Sequence, residues 1–447
     1  MKLPEDFIRL MQGREDFDLV AYQNALSTPA PVSVRINPLK PSHQFENCEK
    51  VAWCPQGYYL TERPNFSHDP HWHAGSYYVQ EASSMFIDEI IRQIQLPTQK
   101  RMLDLCAAPG GKSTLLASHL HADDVLVANE VIPSRANILL ENIVKWGSAN
   151  VIVTQNQAED FKQSGAEFDL ILVDAPCSGE GLFRKTPEAV GEWNMNNVRH
   201  CALRQQQILQ QISDLVAQDG FIIYSTCTFN HHENIDNLVK FAQSNNFESV
   251  QLDTNRFPEI TVIEKCGFVG YGFYPHQIKG EGFFCGVLKN ANATGNHVAF
   301  EQNTKTRPSG KTIHFNLQDF FENNDGLHFV EGGHDVFAMT EPVFRFYNLI
   351  NGKLRIRNAG VRAGTLKGKD FIPAHALALS PFIRKDFNGI DLDKNEALHY
   401  LRKNTIKPQH DVKGYNLAQY RGINLGWLKN LGNRFNNLYP IEYRLRK

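Results

Sequence analysis

Between residues 101 and 290 the chain alternates short apolar runs with stretches whose apolar residues recur at helical spacing. Met102–Cys106, Val125–Asn129, Val151–Thr154, Phe168–Val173 and Phe221–Tyr224 read as strands. Gly111–Leu120, Ser134–Trp146 and the series Leu203, Ile208, Leu209, Ile212, Leu215 and Val216 read as helices. Strands alternating with helices predict an α/β fold with a parallel, doubly wound sheet. Residues 1–75 are mixed and Pro-rich around one clear strand, Val32–Ile36, and predict a small α+β module. Asn290–Lys311 is rich in Asn, Thr and Gly and reads as a linker. Beyond it, strand-like pieces such as Val343–Tyr347 and Lys353–Arg357, punctuated by Gly, predict one or two β-rich modules. No internal repeat is visible.

Composition narrows the class. At 447 residues, 42% of them hydrophobic and 21% charged, the chain is neither disordered nor disulfide-stapled. No run approaches the roughly 18 apolar residues of a membrane span. Met1–Asp6 brings acids at once with no apolar stretch behind them, so a cytoplasmic, soluble protein is expected. The net charge of −2 hides an asymmetry. Residues 341–447 carry 20 Lys+Arg against 8 Asp+Glu, whereas residues 1–340 carry 26 against 40. A basic tail on an acidic body is the pattern of a module that grips a polyanion. The eight cysteines include no C-x-x-C pair, which excludes zinc ribbons and redox dithiols.

The segment Leu103-Asp104-Leu105-Cys106-Ala107-Ala108-Pro109-Gly110-Gly111-Lys112-Ser113 runs from a strand through small residues into a helix, where a doubly wound sheet binds its ligand. Small residues let the backbone approach, and the helix start offers free N–H groups. A phosphate-cradling Walker loop needs Gly five residues before Gly111, and Cys106 stands there. Glu130 closes the second strand 19 residues after Gly111, where an acid hydrogen-bonds ribose hydroxyls. On these residues alone, NAD and S-adenosylmethionine both remain open.

Two cysteines follow the next strands: Asp174-Ala175-Pro176-Cys177-Ser178-Gly179 after the fourth and Tyr224-Ser225-Thr226-Cys227-Thr228 after the fifth. Both contexts are polar and loop-like, a poor setting for buried structural thiols. Carbon 5 of a pyrimidine is a feeble nucleophile until a thiolate adds to carbon 6. The charge that then develops must be met at N3, where a carboxyl such as Asp174 can hydrogen-bond or donate a proton. A second thiolate can help remove the carbon-5 proton after methylation.

With Gln80–Met85, Leu103–Thr114, Asp174–Gly179 and Tyr224–Thr228 in this order, the chain resembles the RNA cytosine-C5 methyltransferases of the NOL1/NOP2/Sun family. Pro275-His276, Gly282–Phe284, Ile372–Leu379, Gly426–Lys429 and Tyr439-Pro440 are similar to its bacterial branch acting on a decoding-region cytosine of 16S rRNA, cytosine 1407 in the usual numbering. The resemblance implies a Rossmann-like, S-adenosylmethionine-dependent domain at 76–290, preceded by an RRM-like α+β module at 1–75. A linker at 291–311, a pre-PUA module at 312–385 and a PUA-like RNA-binding module at 386–447 follow. It places the S-adenosylmethionine loop on Cys106, Ala107, Ala108, Pro109, Gly110, Gly111 and Lys112, and the ribose acid on Glu130. Asp174 takes the N3 and cofactor contact, Cys227 is the nucleophile, and Cys177 serves product release. Where the family has an Asp near the adenine, this chain has Gln157, with Asp160 as the alternative. The implied partner is 16S rRNA, within the small ribosomal subunit, with no membrane.

A tRNA substrate, a non-catalytic RNA-binding factor and an NAD dehydrogenase are the rival readings; the intact Cys227, Cys177 and Asp174 weigh against the last two. No metal is expected. His68, His71 and His73 lack a completing ligand set, Pro70 breaks their geometry, and the chemistry needs no metal. Glu233 reads as a favourable charge at the start of a helix, Trp193 and Trp427 as packing residues, and Arg184 and Lys185 as phosphate contacts.

Overall fold

A computed structural model of the chain describes residues 2–40, 43–292, 319–322, 325–368, 370–406 and 411–446. The expected linker at 291–311 lies, except for its first two residues, outside the described residues.

The middle of the chain forms the anticipated parallel sheet: β1 Arg101–Asp104, β2 Val125–Asn129, β3 Val151–Thr154, β4 Phe168–Asp174 and β5 Val216–Thr226. Four helices accompany it: α1 Gly111–Ala117, α2 Pro133–Trp146, α3 Met195–Ile212 and α4 Ile235–Asn245. Strands β6 Phe247–Ser249, β7 Thr261–Lys265, β8 Phe268–Phe273 and β9 Phe283–Asn290 follow, then β10 Ile356–Ala359 from far downstream. The order across the sheet is β7-β8-β9-β5-β4-β1-β2-β3-β10, with β6 paired to β9. Strands β1 to β5 run parallel, whereas β9 and β10 lie antiparallel to their neighbours β5 and β3.

Successive side chains of a strand point to opposite faces, and here both faces are covered. Leu103, Val125, Val127, Ile152, Ile171, Val173 and Ile222 belong to one core. Their neighbours Met102, Leu126, Ala128, Val151, Leu170, Leu172 and Ile223 belong to the other. Unbroken apolar strands follow from that double burial.

The N-terminal sheet, ordered Glu49–Lys50, Gly57–Leu60, Val32–Ile36, Tyr77–Val79, is antiparallel. The short helices before it, Glu5–Met11 and Leu19–Ala25, leave it and bury Phe7, Met11, Phe17 and Tyr22 in the core on one face of the central sheet. An ion-pair cluster fastens this segment: Arg14 chelates Asp16 at 2.9 and 2.5 Å and donates to the Phe229 carbonyl at 2.7 Å.

The C-terminal part departs from expectation. Val343–Tyr347 is not a strand but the middle of helix α5, Glu341–Ile350, which buries Val343, Phe346 and Ile350. Pro342 sits in its first turn, and the burial spacing of three and four is helical. Lys353–Arg357 only partly overlaps a strand. That strand, β10, pairs with β3, so the region expected to form a separate pre-PUA module at 312–385 supplies the outer edge of the catalytic sheet. Its described residues also form a four-stranded antiparallel sheet (Leu327–Gly332, Asp335–Thr340, Val361–Lys367, Asp370–Pro373) and the short helix His375–Leu379. A second small sheet closes the chain, with Gly389–Asp391 parallel to Gly414–Tyr420, followed by Ile423–Asn430 and Phe435–Asn437. Among the described residues, no helix is long and apolar enough to cross a membrane.

His71 and His73 lie where the N-terminal and C-terminal modules meet. His71 packs edge-on against Tyr420 and His73 Nε2 contacts the Ser67 carbonyl at 2.9 Å. Trp193 and Trp427 are buried, each donating its indole N–H, to Glu180 at 3.1 Å and to the Ala374 carbonyl at 2.9 Å.

Candidate active site

All the sequence-derived site residues come from the carboxyl ends of β1 to β5, the edge at which a doubly wound sheet holds its ligand. The loop Cys106–Lys112 leaves β1 and turns at Gly110, whose φ of +115° only glycine tolerates without strain. A Cβ there would also press on Leu139 and Asn142 at 3.3 and 3.4 Å. The loop is tied down by Ala107 N–H to the Asn129 carbonyl (2.8 Å), Arg135 to the Ala108 carbonyl (2.8 Å) and Asn142 to the Pro109 carbonyl (2.7 Å). Burial pushes the Cys106 thiol up, so it remains protonated. Beneath the loop Asp104 accepts from the Ser113 hydroxyl at 2.6 Å, and burial pushes its carboxyl up to about 7.

Glu130 ends β2 and is buried. One of its oxygens accepts from the backbone N–H of Ile132 at 2.9 Å and the other faces Arg135 at 3.5 Å. Gln157 and Asp160 prove to be a capping pair: the Asp160 carboxylate accepts from the Gln157 backbone N–H at 2.8 Å, and the Gln157 side chain caps the same helical turn in return. The loop that carries Gln157 is held by the distant segment beside β10. Gln155 N–H bonds the Arg355 carbonyl at 2.9 Å, and Arg355 N–H bonds Asn156 at 2.8 Å. Asn129 joins the loops after β1 and β3 through the carbonyls of Leu105 (3.1 Å) and Asn156 (2.9 Å).

Asp174 sits at the end of β4 between two partners: Lys112 at 2.7 Å and the Ser225 hydroxyl at 2.9 Å. Burial alone would lower the Lys112 ammonium, but the Asp174 carboxylate outweighs it and holds it above the ordinary lysine value. Three residues on, Cys177 brings its Sγ to 3.0 Å from that of Cys227. The hydrogen bond between the two thiols and burial push the Cys177 thiol up. Gly181 lets the two loops approach: its N–H donates to the Cys227 carbonyl at 2.9 Å, and a Cβ would strike that oxygen at 3.0 Å. The structure therefore brings Lys112, Asp174, Cys177 and Cys227 into one constellation beside the glycine turn.

Two expectations need correction. Arg184 is not a free phosphate contact: its side chain is 6% exposed, pairs with Glu281 at 3.1 Å and donates to the carbonyls of Gly280 (2.5 Å) and Ala25 (3.3 Å). Lys185 beside it is exposed. Glu233 does stand just before α4, but it is fully buried rather than part of an exposed helix start, and accepts from the Ser178 N–H and from Gln205. Ser225, Glu180 and Asn230, all close to the cysteine motifs in sequence, are further site residues that the motifs alone do not single out. Their signal is polar residues placed beside strand ends that are otherwise apolar.

The catalytic stretch, residues 92–289, matches the family model of 16S rRNA methyltransferase RsmB/F. Residues 3–82 match the N-terminal domain of 16S rRNA methyltransferase RsmF, and residues 387–445 match the methyltransferase RsmF PUA domain. The domain at 92–289 belongs to the RsmB/F methyltransferase family, and both flanking domains match those of RsmF. Among RsmB/F relatives, ribosomal RNA small subunit methyltransferase F of Shewanella loihica is 29% identical over 93% of this chain and 89% of its own. The protein of the same name from Vibrio atlanticus is 28% identical over 98% and 97%. A solved methyltransferase homolog from Pyrococcus horikoshii is 26% identical with a TM-score of 0.53, covering 64% of this chain and 93% of that one. NSun6 from Pyrococcus horikoshii, solved with SFG, shares the fold at 19% identity and a TM-score of 0.54, covering 65% and 98%. These matches bear out the NOL1/NOP2/Sun resemblance and the Rossmann-like α/β fold with a C-terminal PUA domain.

Proposed function

We propose that this protein transfers a methyl group from S-adenosylmethionine to carbon 5 of that decoding-region cytosine in 16S rRNA, through a covalent bond between Cys227 and carbon 6. The observation that carries the reading is the pair of thiols 3.0 Å apart at adjacent strand ends, with the Asp174 carboxyl and the Lys112 ammonium beside them. A methyltransferase of nitrogen or oxygen has no use for two thiols. The tight turn at Gly110 and Gly111, where an added Cβ would press on Leu139 and Asn142 or on Tyr78, ends at a helix start and suits a nucleoside-bearing methyl donor, with Glu130 on its ribose and Gln157 at its adenine edge.

In this reading the Cys227 thiolate adds to carbon 6, and the Asp174 carboxyl protonates N3, drawing on the Lys112 ammonium it already contacts. Carbon 5 of the resulting enamine takes the methyl group as the donor's sulfur–methyl bond breaks, leaving S-adenosylhomocysteine. Cys177, acting as a thiolate directly or through water, then takes the carbon-5 proton; the Cys227 thiolate is expelled from carbon 6 and N3 returns its proton to Asp174, which restores the ring. A paired cytosine hides both faces from this attack, so the target base must be flipped out or lie in distorted RNA. The N-terminal module and the PUA domain hold the RNA by backbone and shape.

The deciding test offers labelled S-adenosylmethionine with unmodified small subunits, naked 16S rRNA and tRNA, followed by nucleoside analysis. The expected product is 5-methylcytosine in 16S rRNA alone; label in tRNA, or on another atom, overturns the reading. A second expectation concerns the donor site. Glu130→Ala should weaken S-adenosylmethionine binding by roughly 1–3 kcal/mol as a charge-assisted hydrogen bond is lost. Unchanged affinity by calorimetry would remove Glu130 from the site.

A further inference from the structure

Behind the two thiols lie buried polar groups that the proposed chemistry does not use. Glu180, three residues after Cys177, and Glu233, just before α4, are both 0% exposed. They face each other across one side chain: Asn230, three residues after Cys227, donates its Nδ2 hydrogens to Glu180 at 2.8 Å and to Glu233 at 2.7 Å. The remaining bonds cross over. Glu180, on the Cys177 loop, accepts the backbone N–H groups of Phe229 and Asn230 on the Cys227 loop at 2.6 and 2.9 Å. Glu233, downstream of Cys227, accepts the backbone N–H of Ser178 beside Cys177 at 2.9 Å, together with the Ser178 hydroxyl. Each cysteine loop is thus held by a carboxylate belonging to the other.

All of these donors are neutral. Two buried carboxylates with no hydrogen-bonded cation among the described residues are an expensive arrangement. Burial and the facing Glu180 accordingly push Glu233 up to about 7. An apolar core would hold the chain together at lower cost, so the lacing calls for an account beyond stability.

The two thiols are not anchored equally. Cys227 follows directly on β5, which is bonded to β4 on one side and β9 on the other. Cys177 stands three residues beyond the end of β4, on a loop. Loosening the lacing therefore displaces Cys177 more than Cys227. We propose that Glu180, Asn230 and Glu233 are positioning residues that fix Cys177 against Cys227 and so govern release of the methylated RNA rather than methyl transfer. This rests on the reading of Cys227 as nucleophile and Cys177 as the releasing thiol.

The test uses Glu233→Gln, which sets an amide among four donors, and Ser178→Ala, which removes one hydroxyl and is too small a change to unfold the chain. Both are assayed with target RNA beside the wild type and Cys177→Ala. In Glu233→Gln, single-turnover methyl transfer should stay within about twofold of wild type while steady-state turnover falls roughly tenfold, the scale of a misplacement below 1 Å. An RNA adduct that survives denaturation should build up in the presence of S-adenosylmethionine; Ser178→Ala should show the same in smaller measure. If Cys177→Ala traps the adduct and neither variant does, the lacing is purely structural and the inference falls. Slowed methyl transfer with no adduct overturns it equally. If Cys177→Ala itself traps nothing, the assignment of the two thiols fails and takes this inference with it.

Discussion

Cys227→Ala should lose methyl transfer entirely and form no covalent RNA complex, whereas Cys177→Ala should accumulate one. The asymmetry follows from where each thiol acts. Without Cys227 no group adds to carbon 6, and carbon 5 never becomes nucleophilic. Without Cys177 attack and methylation proceed, but the carbon-5 proton leaves slowly and the thioether cannot break. The two side chains lie 3.0 Å apart, and the trapped species distinguishes their roles. A denaturing gel with target RNA and S-adenosylmethionine does so: an adduct in Cys227→Ala and none in Cys177→Ala reverses the assignment. Turnover in both variants removes the covalent mechanism.

Asp174→Asn should lower kcat by about 10²–10⁴-fold, or roughly 3–5 kcal/mol on the barrier, the range of a lost general acid. Asn still donates a hydrogen bond to N3 but gives up no proton. It also leaves Lys112 without its 2.7 Å counter-ion, so burial is opposed only by the weaker pull of Asp104 and Cys227 and the ammonium falls from its raised position. Single-turnover methyl transfer measures the loss, and RNA binding by the same variant should stay close to wild type. A drop smaller than about tenfold would show that N3 is protonated by some other group.

The part of the fold governed by short-range pattern is readable in the sequence. Strands β1 to β4 lie where the apolar runs do, because strands buried on both faces need unbroken apolar stretches, and the glycine turn and both cysteine motifs stand at their ends. What the pattern hides is set by long-range pairing. Val343–Tyr347 has the β-branched and aromatic residues of a strand, yet Val343, Phe346 and Ile350 share one helical face, and only the core they reach distinguishes the two. Nothing local in Ile356–Ala359 announces that it will join β3. The polar residues mislead for a related reason. Arg184, Glu233 and Asp160 carry charges that suggest solvent or ligand, and their partners, Glu281, Ser178 with Gln205, and the Gln157 backbone, emerge only once the chain has folded.

The late arrival of β10 bears on how the protein is made. Some 200 residues separate β3 from the strand that covers it. At roughly 5–20 residues per second, a ribosome needs on the order of 10–40 seconds to bring the two together. Throughout that interval Val151–Thr154 presents an open row of backbone donors and acceptors, a template for mispairing with any other nascent strand. Arg355, which holds the loop carrying Gln157, is also still missing. In the reading proposed above, the donor site therefore matures only after the cysteine motifs have all been synthesised, and the nascent chain passes through a stage in which both thiols are in place but the loop carrying Gln157 is not yet held.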